Sequence, residues 1–178
     1  MAEFVADVFA SVARRDQRWW GECYLRGLML DGRRKSVQAM AERLPDGTMQ
    51  VLQQFVNQSP WDPLPVRRRI AERLVEAITA EVWVIDDVSF PKCGTASVGV
   101  ARQCCGAVGK RANCQVAVSV HAATDTVSCP LDWQLYLPRE WADEPDCCRR
   151  AGVPDGTGHQ EKWRLALGLL DTLAAWRL

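Results

Sequence analysis

Histidine is scarce in this chain: only His121 and His159 occur, and no C-x-x-C spacing appears anywhere. These two lacks leave no support for a structural zinc site. Long apolar runs are missing too, since none approaches the roughly 18–20 residues that span a bilayer. The opening stretch MAEFVADVFASVARR carries acids early and lacks a secretory-leader layout. Net charge is zero, with 22 basic and 22 acidic side chains, which argues against general adhesion to polyanions. Low-complexity segments and internal repeats are absent. Together these absences predict a cytoplasmic globular protein with no membrane partner.

Cysteine and tryptophan are plentiful, at 8 each in 178 residues. The cysteines stand singly or as vicinal pairs, at 23, 93, 104, 105, 114, 129, 147 and 148. Without a secretory context they read as buried or incidental thiols rather than a disulfide framework. A small redox or metal protein built on them lacks the ligand spacings it would need. Arginine is unevenly spread, with DGRRKS and PVRRRIAER in the first half. Between Ser89 and Leu131, Lys92, Arg102, Lys110 and Arg111 face a single acid, Asp125. A local basic face of this kind can bind phosphates at zero net charge, and solvated helix faces are the plainer reading of any one cluster.

Two textures divide the chain. Residues 1–80 read as short helices with tight turns, an all-α module suited to DNA binding. A first helix is expected over about 3–15 and a second in DQRWWGECYLRGLMLDG, closed by Asp31-Gly32. Ser36 is placed to cap VQAMAERL and Thr48 to cap MQVLQQFVNQ. That pair of helices has the spacing of a helix-turn-helix, as many short amphipathic pairs do. Val66, Ile70, Leu74 and Ile78 then fall at successive i, i+4 positions, one apolar stripe opposite the arginines.

Residues 81–178 are different. VWVID, SVGVARQCC, NCQVAVSVHA and CPLDWQLYL are strand-like, separated by gaps short enough for antiparallel hairpins. A polar excursion, PREWADEPDCCRRAGVPDGTGHQ, precedes the amphipathic EKWRLALGLLDTLAAWRL. A strand meander followed by a helix is the first half of a mixed sheet, whose natural continuation is another strand packed back through that helix. The fold class is therefore α+β, a helical module followed by half of a mixed sheet.

The strand VWVID ends in Asp86-Asp87, followed by the turn SFPKCG. Carboxylates at the end of a buried strand are costly unless hydrogen-bonded, protonated or bound to a cation. Strand-end oxygens suit Mg²⁺ or Mn²⁺, and two such ions can drive phosphodiester chemistry. A plain Asp-Asp turn is the competing reading, and the residues alone leave both open.

The series VWVIDDVSFPKCGTASVGVARQCCGAVGKRANCQVAVSVHA resembles the start of the catalytic domain of bacterial insertion-sequence transposases of the DDE type. YLRGLMLDGRRKSVQAMAERL and HQEKWRLALGLLDTL resemble that group's helical region and the helix before its second catalytic strand. The resemblance implies an RNase H-like core that cuts and joins insertion-element DNA with Mg²⁺ or Mn²⁺, using an Asp-Asp-Glu triad. Its first aspartate carries over to Asp86 or Asp87, with Asp86 the better fit. Lys92, Arg102, Gln103, Lys110 and Asn113 match recurring family positions, which implies a place near DNA or a part in shaping the site.

No stretch matches the family's second aspartate or its glutamate, and Asp125, Asp132 and Asp171 match neither motif. The resemblance thus implies a truncated piece, inactive alone, with apolar surface left exposed. The alternative expectation is a non-catalytic DNA-binding fragment that inhibits an intact transposase through mixed oligomers, or forms a homo-oligomer.

Overall fold

The computed structural model describes residues 2–178, which pack as two compact units, one ending at Ile70 and one beginning at Ala71. The first unit holds α1 (Ala2–Val8), α2 (Arg15–Met29), α3 (Val37–Ala41), α4 (Met49–Asn57) and the first half of α5 (Pro63–Ala77). Helix α1 is shorter than the 3–15 expected. Beyond it the chain turns, and the Arg18 guanidinium donates to the carbonyls of Val12 (2.7 Å) and Ala13 (2.9 Å). Those carbonyls are thereby satisfied without continuing the helix. Ser36 and Thr48 cap α3 and α4 as expected, accepting from the N–H groups of Ala39 and Val51. Val5, Val8, Phe9, Phe55 and Val66 form one core cluster of this unit, with Trp61 and Ile70 packed against it.

The second unit contains β1 (Val82–Pro91), β2 (Ala101–Cys105), β3 (Lys110–Ala123), β4 (Ser128–Leu135), α6 (Arg139–Ala142), α7 (Pro145–Arg150) and α8 (Lys162–Ala175). All strand pairs are antiparallel. Helices beside an antiparallel meander closed by α8 are an α+β arrangement consistent with part of an RNase H-like fold. The order differs from a simple run of hairpins in one respect: β1 pairs with β3 rather than with β2. The long β3 takes β1 along Cys114–Ala123, and meets β2 at its start and β4 at its end. The 92–100 segment is a broader connection than a tight turn. The Asn113 side chain braces it, donating to the carbonyls of Lys92 (3.0 Å) and Gly94 (2.8 Å).

Opposed residues in an antiparallel ladder share a face, and successive residues alternate faces. One face is covered. Val118, Val120 and Ala122 of β3 pack under Leu165, Leu169 and Leu173 of α8, with Ala71 of α5 in the same cluster and Leu74 of α5 and the following Ile78 packed against it. The alternate face is open, and Val88, Phe90, Ala117 and Trp133 wall a shallow apolar recess of about 230 Å³ on it.

Strand β1 is an edge: among the described residues only β3 pairs with it. Its apolar residues are accordingly exposed, including Val82 (55%), Val84 (43%) and Ile85 (44%). A long edge strand with apolar side chains is a template for further strand pairing. The chain is therefore expected to self-associate as concentration rises, and Ile85→Lys should reduce this. Sedimentation velocity across about a hundredfold concentration range checks it, and a wild-type protein monomeric throughout would refute the expectation.

Candidate functional site

Asp86 and Asp87 lie within β1, where alternation sends them to opposite faces. Asp86 is opposite Ser119 of β3, on the open face. Its Oδ1 accepts the Asp87 backbone N–H at 2.7 Å, and its main-chain carbonyl accepts from Ser119 Oγ at 3.2 Å. The carboxylate is exposed and has no cation beside it among the described residues. Asp87 is opposite Val118, on the covered face, and its carboxylate pairs with Lys162 at the start of α8. The Lys162 ammonium also sits 5.3 Å from the centre of the Tyr136 ring. Both members of the ion pair are partly exposed, so the contact contributes at most about 1 kcal/mol. Its geometric effect is clearer: it ties the first residue of α8 to the middle of β1.

Asp132 is 2% exposed on β4 and accepts the Trp133 N–H at 2.9 Å. It is opposite Val120, on the face away from Asp86. The sheet therefore does not bring these two acids together. Among the described residues no three His, Cys, Asp or Glu side chains are grouped closely enough to hold a metal ion. Asp86 is a hard oxygen donor of the type Mg²⁺ or Mn²⁺ takes. A single carboxylate falls short of the ligand set a two-metal centre requires, so the residues present do not by themselves fit that centre.

The basic and polar positions separate into two groups. Lys92 donates its backbone N–H to the Asn113 carbonyl (2.9 Å), and Asn113 is opposite Arg102. Lys92, the residue after β1, thus forms one row with Asn113 of β3 and Arg102 of β2. Asn113 shares a face of β3 with Ser119, the partner of Asp86, so the row lies on the face that bears Asp86. Lys110 is exposed at the start of β3. Gln103 points the other way, and its Nε2 donates to the carbonyls of Gly99 (3.3 Å) and Cys114 (3.0 Å). Gly99 has φ +71°, and an added Cβ would meet the Tyr136 carbonyl at 2.9 Å, so a larger residue there is strained on two counts.

The thiols are all free: Cys23, Cys105 and Cys114 are buried, and Cys93 and Cys104 exposed. Cys105 Sγ lies 3.5 Å from Ser89 Oγ, and that hydroxyl lowers its pKa. Burial raises the Cys114 thiol. In the sequence Lys162 is one polar residue of an amphipathic helix. It lies 75 residues from Asp87, and no local spacing signals their pairing.

The chain matches the DDE superfamily endonuclease family over residues 7–178. It belongs to that family. A curated relative, the probable transposase for insertion sequence element IS701 of Microchaete diplosiphon, is 30% identical over 116 residues. The alignment covers 64% of this chain and 30% of that protein, so this DDE-family chain spans only part of its relative's length. No solved structure matches it. No helix among the described residues is long and apolar enough to cross a membrane.

Proposed function

We propose that this chain contributes the first acidic corner of a DDE transposase active site that cuts and joins insertion-element DNA with Mg²⁺ or Mn²⁺. The observation that carries the reading is the placement of Asp86: exposed, without a cation partner among the described residues, and on the sheet face that also bears the Lys92–Asn113–Arg102 row. Asp87 is engaged by Lys162 and serves to dock α8. Lys92, Arg102 and Lys110 are suited to phosphate contacts, while Gln103 and Asn113 spend their amides on backbone carbonyls and shape the loop.

One carboxylate cannot assemble a two-metal centre, so the chain alone binds DNA without cutting it. A mixed complex with an intact transposase would then be inhibitory. The readings separate in two measurements. In a gel-shift assay with insertion-end DNA and Mn²⁺, retardation without nicking is expected. In a two-dimensional NMR titration with Mn²⁺, paramagnetic broadening is expected around Asp86 and Ser119. Asp86→Asn should abolish that broadening and Asp87→Asn should leave it. Nicking by the chain alone, or broadening that follows Asp87 instead, would overturn the assignment.

A further inference from the structure

Beside β2 lies a polar groove of about 330 Å³ that does not include Asp86 or Asp87. Its walls come from β2, from β3, from α6 and from the segment leading into α8, and its charged lining is three arginines, Arg102, Arg111 and Arg139, with two acids, Glu140 and Glu161. Arg102 is exposed and meets no carboxylate among the described residues. Arg111 Nη2 donates to the Arg102 carbonyl at 2.8 Å, which leaves its positive charge uncompensated. Arg139 Nη2 is paired with Glu161 Oε1 at 3.0 Å. Glu161 also lies 3.5 Å from His159 Nε2. The His159 Nδ1–H donates to the Leu137 carbonyl at 2.9 Å, which fixes the ring against the groove wall.

We propose that this groove is a phosphate-binding subsite for a DNA backbone, seating a phosphodiester between Arg102 and Arg111 with Arg139 at its rim. The inference rests on the DNA-binding reading above and adds to it a definite seat for the strand. Arg102 and Arg111 line the same groove and neither is paired with a carboxylate among the described residues, so a bound anion would supply the missing counter-charge, and the planar guanidinium fork matches a phosphate. Arg102 belongs both to this groove and to the row running back to Lys92. A backbone seated there continues onto the sheet face that bears Asp86. An acidic peptide would find the same charges, but the continuity with the Lys92 row favours the nucleic acid.

The test is a fluorescence-anisotropy titration of the full chain with labelled duplex DNA at several salt concentrations. Arg102→Ala/Arg111→Ala removes two phosphate contacts. The plot of log affinity against log salt should become shallower by about 2, with affinity roughly tenfold lower near 0.1 M salt. Arg102→Lys/Arg111→Lys should keep most of the salt slope. Arg150→Ala, a charge lost from exposed α7, should leave slope and affinity unchanged. Both groove arginines are exposed, and an unchanged circular dichroism spectrum confirms that the variants fold. An unaltered slope in the double alanine variant overturns the subsite while DNA binding stands. Equal losses in Arg150→Ala also overturn it, because general electrostatics would then suffice. A wild-type chain that fails to bind DNA at low salt overturns the parent reading and this one together.

Discussion

Leu173→Ala is expected to destabilise the second unit by about 2–5 kcal/mol, the range for truncating a fully buried leucine. Leu173 is 0% exposed, and it follows Leu165 and Leu169 at four-residue steps along the buried stripe of α8. The stripe packs on Val118, Val120 and Ala122 of β3, whose other face carries Ala117 and Ser119. The loss combines transfer of the removed methyl groups with the cavity left between helix and sheet, which β-strand neighbours close poorly. Urea denaturation followed by circular dichroism measures the change. A loss below about 1 kcal/mol would show that α8 does not clamp the sheet as described. Lys162→Met offers an internal scale, since its exposed pair with Asp87 is expected to cost under about 1 kcal/mol.

In the helical unit, Phe55→Ala should cost about 3–5 kcal/mol. Phe55 is stacked on Trp61, with ring centres 4.9 Å apart and planes 10° from parallel, and meets Phe9 edge-on at 5.9 Å. Trp61 Nε1 donates to the Phe55 carbonyl at 2.9 Å, so ring and backbone hold each other in place. Gly21 of α2 permits this packing. A Cβ there would lie 2.9 Å from the Phe9 ring and 3.1 Å from the Phe55 ring, and those packed rings have little room to yield. The variant should lose near-ultraviolet dichroism from Trp61 along with stability. A retained signal with unchanged urea midpoint would contradict the stacked core.

A smaller effect follows from Glu161. Arg139, and after it His159, hold this carboxyl below its ordinary pKa. A depressed carboxylate adds stability above its unfolded pKa and loses it as pH falls through the folded value. The group is exposed, so the effect should be slight, visible as a small fall in thermal midpoint that Arg139→Ala removes.

Much of the architecture was legible from local chemistry. Ser36 and Thr48 were readable as caps because a hydroxyl three residues ahead of an open N–H needs no distant partner. The Val66, Ile70, Leu74 and Ile78 stripe and the alternation in VAVSVHA were readable because burial repeats with the period of the backbone. The family likeness was legible in the run from the aspartate pair to the β3 strand, and the match over residues 7–178 agrees with it.

Pairing between distant segments was not legible. The strand-like runs and short gaps suggested neighbouring hairpins, yet β3 is long enough to take β1 on one side and both β2 and β4 on the other. Nothing near the gap at 92–100 announces that β1 bypasses β2, because the pairing is made along β3 and the loop is braced from Asn113. By itself the sequence determined that an aspartate pair follows an apolar strand, and which family carries such a pair. Only the tertiary structure parted the two acids. The pleat turns Asp86 to the open face and Asp87 toward α8, where Lys162 meets it. The reason is physical: side-chain direction alternates along a strand, but which face is covered depends on a helix folded back from 75 residues away.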